Sequence, residues 1–245
     1  MKQEIFTVRE NTRIAENTME IVLHGDASAL ERPGQFVNVK IDGFFLRRPL
    51  SVCFASETNI TLIYRIVGAG TEKLAAASEG DTFDILTGLG NGFDLSRSGD
   101  RPLLLGGGMG TAPLYWLCSR LTEQGKHPRV ILGFPKAADV FYKEEFEALG
   151  AETVVVTEDG SLGEKGFVTR AMPDAEYTYF YACGPEPMLK AVCRASVTPG
   201  EMSFSTRMGC GFGACMGCTC QTLAGPKRIC KDGPVMKKEE IRWED

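Results

Sequence analysis

The spacing of apolar residues changes near residue 100, and this change limits the fold more than any single motif. Up to about residue 97 the chain runs in short, β-branched, alternating segments near 4–10, 18–24, 35–41, 50–54, 60–67 and 82–87. Turn signals separate them: Glu31-Arg32-Pro33-Gly34, Asp42-Gly43, and the run Gly88-Leu89-Gly90-Asn91-Gly92. Six strands so spaced predict a small antiparallel β-barrel. From Pro102 the reading is strand (102–106), Gly-rich turn (106–110), helix (111–123), strand (129–134), helix (139–149), strand (152–157), short helix (166–172), strand (177–182) and helix (185–195). That alternation predicts a doubly wound, Rossmann-like parallel α/β domain. The polar segment 94–101 places the boundary, giving units 1–97 and 98–200. A last strand near 201–205 opens a third unit, 201–245.

The third unit carries the most specific chemical signal. Four of the nine cysteines fall between Met208 and Cys220. Cys210, Cys215 and Cys218 read C-x4-C-x2-C, and Cys230 follows across a short polar segment. This is the spacing of a plant-type [2Fe–2S] site, where four thiolates hold two irons. Gly209, Gly211, Gly213 and Gly217 let the backbone fold closely and turn its N–H groups toward anionic sulfur. A disulfide knot fits poorly, because no apolar signal core follows Met1 and 245 residues need no staples. Structural zinc usually takes two separated cysteine pairs or cysteine with histidine, and His24 and His127 are both distant. Cys220 competes with Cys230 for the fourth position. Cys230 is favoured, since Cys218 and Cys220 would have to reach one small cluster from nearly adjacent positions.

Composition enters by exclusion. A net charge of −5 gives no basic stripe for nucleic acid, and no apolar run approaches the length of a membrane span. Cys53, Cys118, Cys183 and Cys193 are scattered, as reduced thiols of a cytosolic (cytoplasmic) protein would be.

Further candidate sites lie at the ends of elements. In the first unit Arg47-Arg48-Pro49-Leu50-Ser51 is paired with Tyr64-Arg65-Ile66-Val67-Gly68-Ala69-Gly70-Thr71. Thr71 can cap a helix through about residue 77, and a helix start beside an arginine suits a pyrophosphate. Taken alone, the first peptide reads equally well as a barrel-edge turn with a solvated arginine. In the second unit, Gly106, Gly107, Gly108 and Gly110 open a helix after a strand, where backbone amides cradle dinucleotide phosphates. Cys183-Gly184-Pro185 ends a later strand by the same logic. Cys183 reads as a small buried residue more readily than as a nucleophile, with no histidine close in sequence. Lys143-Glu144-Glu145 and 237–240 read as solvated helix faces or turns, and Trp243 as an interface anchor or a satellite packing residue.

A barrel with R-P-x-S and G-x-G-T, then an α/β domain with a Gly-rich turn and C-G-P-x-x-M, resembles the ferredoxin–NAD(P) reductase superfamily. The C-terminal cysteine unit narrows this to the electron-transfer subunits of NAD-dependent (type B) dihydroorotate dehydrogenases, and the resemblance covers essentially the whole chain. It implies FAD between the two domains, on Arg48, Pro49, Leu50, Ser51, Arg65, Ile66, Val67, Gly70 and Thr71, with Ser51 and nearby amides at the flavin ring edge. It implies a cluster on Cys210, Cys215, Cys218 and Cys230. It also implies NAD near Gly106, Gly107, Gly108, Gly110, Cys183, Gly184 and Pro185. The implied partner is an FMN-containing catalytic subunit, in a heterotetramer of two copies of each chain. Electrons would pass from FMN through [2Fe–2S] and FAD to NAD in pyrimidine (UMP) biosynthesis, and no general base is named. One rival is the small subunit of a ferredoxin- or sulfide-linked NAD(P)H oxidoreductase. After strand 129–134 a single Lys136 and no arginine cluster lean toward NAD. The other rival is a zinc-stabilised binding module without redox chemistry.

Overall fold

The computed structural model describes residues 1–172 and 176–243; Glu244 and Asp245 of the expected third unit lie outside the described residues. Strands β1 (Lys2–Ala15), β2 (Thr18–His24), β3 (Phe36–Val39), β4 (Arg48–Ala55), β5 (Asn59–Arg65) and β6 (Thr82–Leu89) close an antiparallel barrel in the order β1-β2-β5-β4-β3-β6. The alternation predicted from sequence directs Ile21, Leu23, Leu62 and Ile85 into its core. β1 is longer than expected because two irregularities, at Val8/Glu10 and Arg13/Ala15, keep it paired with β2 along its length.

Helix α1 (Ala69–Ala75) covers one side of the barrel through Leu74, and Asn11 Nδ2 donates to Leu74 O (3.0 Å) and Ala77 O (2.9 Å). Thr71 does not cap this helix from its first position. It lies in the first turn, where its hydroxyl accepts from the Val67 and Gly68 N–H groups and donates to Gly68 O. The cap position therefore lies three residues earlier, at Gly68, and Thr71 closes the first turn from the third helical position.

The second sheet contains β7 (Leu103–Gly107), β8 (Arg129–Phe134), β9 (Glu152–Thr157), β10 (Glu164–Lys165), β11 (Phe180–Cys183), β12 (Gly200–Ser203) and, from the C-terminal region, β15 (Val235–Lys237). Its order is β10-β9-β8-β7-β11-β12-β15, parallel except for β15, which pairs antiparallel with β12. The predicted parallel sheet is present, and β15 of the C-terminal region adds one antiparallel edge strand to it. The order reverses between β7 and β11, which places a crevice at their carboxyl ends.

Helix α2 (Thr111–Glu123) follows β7 and buries Leu114, Leu117, Cys118 and Leu121 on the sheet, while Trp116 enters the barrel core. Each such leucine stabilises by roughly 1.5–3 kcal/mol, so α2 fastens barrel and sheet together. Two expected helices are shorter than predicted. The segment 139–149 folds as a 3₁₀ turn at Ala137–Asp139 and then helix α3 (Lys143–Ala148), with Tyr142 left-handed (φ 67°) between them. The segment 166–172 forms only a 3₁₀ turn, Val168–Arg170. Helix α4 (Glu186–Ala195) follows β11.

The cysteine stretch leads to a hairpin of β13 (Thr219–Thr222) and β14 (Gly225–Arg228), and then to helix α5 (Ile229–Asp232). Cys218, Ile229, Cys230 and Met236 pack against Phe36 and Leu89 of the barrel. Asn91 holds the return of the chain, donating from Nδ2 to Val235 O (2.7 Å) and accepting from Val235 N. Residues 237–240 are not simply solvated: Lys238 Nζ donates to Ser196 O (2.7 Å), and Glu240 pairs with Lys227 (2.9 Å). Trp243 packs on Phe204 and its Nε1 donates to Cys193 Sγ (3.3 Å), the satellite role of the two expected.

Candidate functional site

Between barrel and sheet, at the carboxyl ends of β7 and β11, lies a cleft of about 790 Å³. Ser51 and Arg65 reach it from the barrel, Gly107, Gly108 and Gly110 from the turn after β7, and Cys183, Gly184 and Pro185 from the turn after β11. Three peptides far apart in sequence thus meet in one place. The two turns interlock: a Cβ on Gly110 would stand 2.0 Å from Cys183 O, and one on Gly107 would stand 2.3 Å from Met188 Sδ. At Gly110 only glycine permits this approach, because the atoms a Cβ would strike are the backbone of Cys183 and Gly184. Cys183 is buried, and burial pushes its thiol up to about 12 despite a hydrogen bond with Ser203. At neutral pH it is a packed thiol, not a thiolate nucleophile.

Arg48, Pro49, Leu50, Ile66, Val67, Gly70, Thr71 and Gly106 do not border the cleft itself. Arg48 nevertheless sits on the start of α1: a Cβ on Gly70 would stand 2.7 Å from its Nε, and its guanidinium covers the Phe44 ring at 4.8 Å. Val67 is 78% exposed. Arg65 is held across the domain junction by Asp139, Nη2 to Oδ1 at 3.2 Å, while its buried Nε has no partner among the described residues. A cationic rim with an unspent donor, beside the open Ser51 hydroxyl, fits an anionic flavin dinucleotide.

The cysteine loop is held by sulfur. Cys210 Sγ accepts from Ala214 N (3.2 Å) and Cys215 N (3.4 Å), and Cys215 Sγ accepts from Cys210 N (3.4 Å) and Gly217 N (3.5 Å). Cys230 N donates to Cys218 Sγ at 3.4 Å. The thiols therefore associate as Cys210 with Cys215 and Cys218 with Cys230. Among the described residues no three or more His, Cys, Asp or Glu gather as they would around a single metal ion. A two-iron cluster asks for two thiolates per iron, and two neighbouring pairs meet that demand. Burial alone would raise the Cys210 thiol, but the N–H groups of Cys215, Phe212 and Ala214 outweigh it and bring Cys210 down to about 6. Burial and the neighbouring Cys218 and Cys210 push Cys230 up to about 12, a cost that bound iron would remove by taking the thiolate. Cys220 lies on β13 opposite Lys227, and burial raises its thiol as well.

Met188 stood in the C-G-P-x-x-M motif without an assigned role, and sequence reasoning missed Met109, Glu158, Phe167 and Ser205 of the cleft. Glu158 and Phe167 come from ends of the sheet that only the strand order brings near.

Comparison with known proteins settles the family. The model of the iron–sulfur cluster binding domain of dihydroorotate dehydrogenase B matches residues 205–242, and that of the oxidoreductase NAD-binding domain matches residues 104–194. The chain is 42% identical over 255 residues to the dihydroorotate dehydrogenase B (NAD(+)) electron transfer subunit of Bacillus pumilus (strain SAFR-032), covering 98% of each chain. It is 44% identical over 253 residues to that of Bacillus caldolyticus, again covering 98% of each. The chain belongs to the family of dihydroorotate dehydrogenase B electron transfer subunits. It is an oxidoreductase subunit whose cofactor set is FAD, [2Fe–2S] and NAD. Among solved structures, that of an NADH-dependent reduced ferredoxin–NADP oxidoreductase aligns with TM-score 0.88 and 30% identity, over 97% of this chain and 90% of that one. Phthalate dioxygenase reductase, at TM-score 0.64 and 16% identity, shares the fold. As a member of this family the chain works beside a catalytic subunit, and no helix among its described residues is long and apolar enough to cross a membrane.

Proposed function

We propose that this chain carries electrons from an FMN-containing dihydroorotate dehydrogenase catalytic subunit to NAD, so that dihydroorotate and NAD⁺ become orotate, NADH and a proton. The supporting observation is the single cleft that sets Ser51 and Arg65 opposite Gly107–Gly110 and Cys183–Pro185, with the cysteine loop tied to the same barrel. When bound, FAD exchanges two electrons with the nicotinamide and single electrons with the cluster. The chain's own residues bind and orient. Arg48 beside α1, with Pro49, Leu50 and Ser51 on β4 and Arg65, Ile66, Val67, Gly70 and Thr71 around the start of α1, hold the flavin dinucleotide. The turn Gly106–Gly110 and Cys183, Gly184 and Pro185 seat NAD, while Cys210, Cys215, Cys218 and Cys230 ligate the irons.

The chain then divides as a flavin-binding barrel at 1–97, an NAD-binding domain at 98–200 and a cluster unit at 201–245. Phe212 (44% exposed) and Met216 (54%) on the cysteine loop support docking of the catalytic subunit there, in a heterotetramer of two copies of each chain. The free, mostly buried thiols Cys53, Cys118, Cys183 and Cys193 support a cytosolic setting.

The 30% identity with the ferredoxin–NADP oxidoreductase favours a second reading, in which the electron partner is a ferredoxin. Dihydroorotate-dependent reduction of NAD by the complex isolated anaerobically separates the two. Activity with NAD that disappears in Cys210→Ser supports the proposal. A complex that reduces an artificial dye with NADH but gives no turnover with dihydroorotate overturns it in favour of the ferredoxin-linked reading. Zinc in place of iron and flavin would overturn both.

A further inference from the structure

Strand β3 is buried on both faces, and the two faces meet different parts of the molecule. Val37 and Val39 join the barrel core, whereas Phe36 packs with Cys218, Ile229 and Cys230. The two-residue repeat puts Asn38 on the Phe36 side, toward the cysteine unit. Asn38 is 1% exposed, and its Nδ2 donates to Cys210 O at 2.9 Å. Gly211 lies directly on this amide: its φ is +78°, and a Cβ there would stand 2.2 Å from Asn38 Nδ2.

The other attachments of Asn38 run to the barrel. Its backbone carbonyl accepts from Arg47 Nη1 (3.3 Å), a guanidinium that also bonds Asp84 O (2.8 Å) and pairs with the Asp84 carboxylate (2.9 Å). In the pairing of β3 with β4, Asn38 faces Pro49 and Phe36 faces Ser51. Meanwhile Asn38 Oδ1 is buried without a partner among the described residues. Such an orphan costs about 1–3 kcal/mol, so an apolar residue continuing the Phe-Val-x-Val pattern would serve stability at least as well. What the amide supplies is direction: one bond that fixes where the Cys210 loop stands against the barrel.

We infer that Asn38 is a positioning residue for electron transfer, holding the Cys210 loop against β3, the strand paired with the Arg48–Ser51 segment of β4, and so setting the separation of flavin and cluster. This rests on the reading of those strand residues as flavin contacts and of the four cysteines as ligands. One electron crosses at each event, and two events carry the pair that a hydride brings. No proton moves at Asn38.

The test uses the full chain, loaded anaerobically with FAD and iron–sulfur, and the variants Asn38→Leu and Asn38→Ser. Flavin and iron content, NADH-driven flavin reduction, subsequent cluster reduction and the EPR spectrum of the reduced cluster are measured. The expected result is normal flavin content and flavin reduction, with cluster reduction slowed severalfold, since electron transfer weakens as the separation of donor and acceptor grows. The EPR line shape should change in parallel. Full iron, an unchanged spectrum and wild-type cluster reduction in both variants overturn the inference. Loss of flavin in both overturns it too, because the residue would then act on the barrel and not on the loop. If Asn38→Leu alone loses flavin, Asn38→Ser, which removes the reach without adding bulk, decides. Wild-type chain that takes up no flavin or no iron would instead sink the underlying cofactor assignment.

Discussion

The cleft and the cysteine loop bind in contrasting ways. The cleft is a product of topology: barrel and sheet bring strand β4 together with the turns after β7 and β11, which approach each other through glycine. The loop between β12 and β13 has almost no regular structure, and its shape is set by N–H groups aimed at sulfur. A site made by topology tolerates changes in single side chains but not backbone collisions. A site made by ligands tolerates neither loss nor displacement of a thiol.

The largest effect expected from this contrast is at the fourth cysteine. Cys230→Ser should abolish the visible absorption and EPR signal of the cluster and reduce iron content to near zero, while NADH reduction of a dye persists. Cys220→Ser should keep iron. The reverse pattern would move the fourth ligand to the β13–β14 hairpin.

Next come the glycines of the cleft. Gly110→Ala drives a Cβ into the Cys183 carbonyl, a backbone atom that cannot step aside. It should raise KM for NAD steeply and destabilise by about 2–4 kcal/mol, as overpacking does. Gly107→Ala meets the flexible Met188 side chain and should cost clearly less; equal penalties in NAD titration and thermal unfolding would contradict the interlocked geometry.

The smallest effect concerns Glu201 on β12. It is 4% exposed and accepts from Asp94 N at 2.9 Å on the linker between barrel and sheet. Burial pushes its carboxyl up to about 7, only partly opposed by the Asp94 N–H, Arg97 and Lys237, while the Asp94 charge adds to the rise. The folded protein thus holds this proton more tightly than the unfolded chain. The stabilisation is complete below the ordinary glutamate range and is lost as pH rises to about 7, a change of about 1–3 kcal/mol. Glu201→Gln keeps the acceptor and removes the titration. Denaturant midpoints between pH 4.5 and 7.5 should therefore flatten in the variant, roughly in line with that loss; parallel curves would assign the slope to other groups.

How much was legible in the sequence follows the same division. The proposed cysteine ligands are close in sequence, so their spacing singled them out without any knowledge of the fold. The Gly-rich turns were legible because each sits at a strand–helix junction that periodicity exposes. Glu158 and Phe167 were not, since only the order of β10, β9, β8 and β7 brings them to the cleft. Helix 166–172 was overpredicted because Phe167, Val168 and Ala171 have helical spacing, whereas the chain there is a tight connection that buries Val168 against the sheet. Asn38 carried no signal in the sequence. Its burial depends on a loop 172 residues away.

The antiparallel strand β15 also protects the sheet from other molecules. It lies only a few residues after Cys230 and covers the β12 edge of the sheet, while the opposite edge is the two-residue β10. A chain without β15 would leave β12 with open N–H and C=O groups, a template for strands of other molecules. The C-terminal region thereby guards solubility, and a chain cut before Val235 should aggregate.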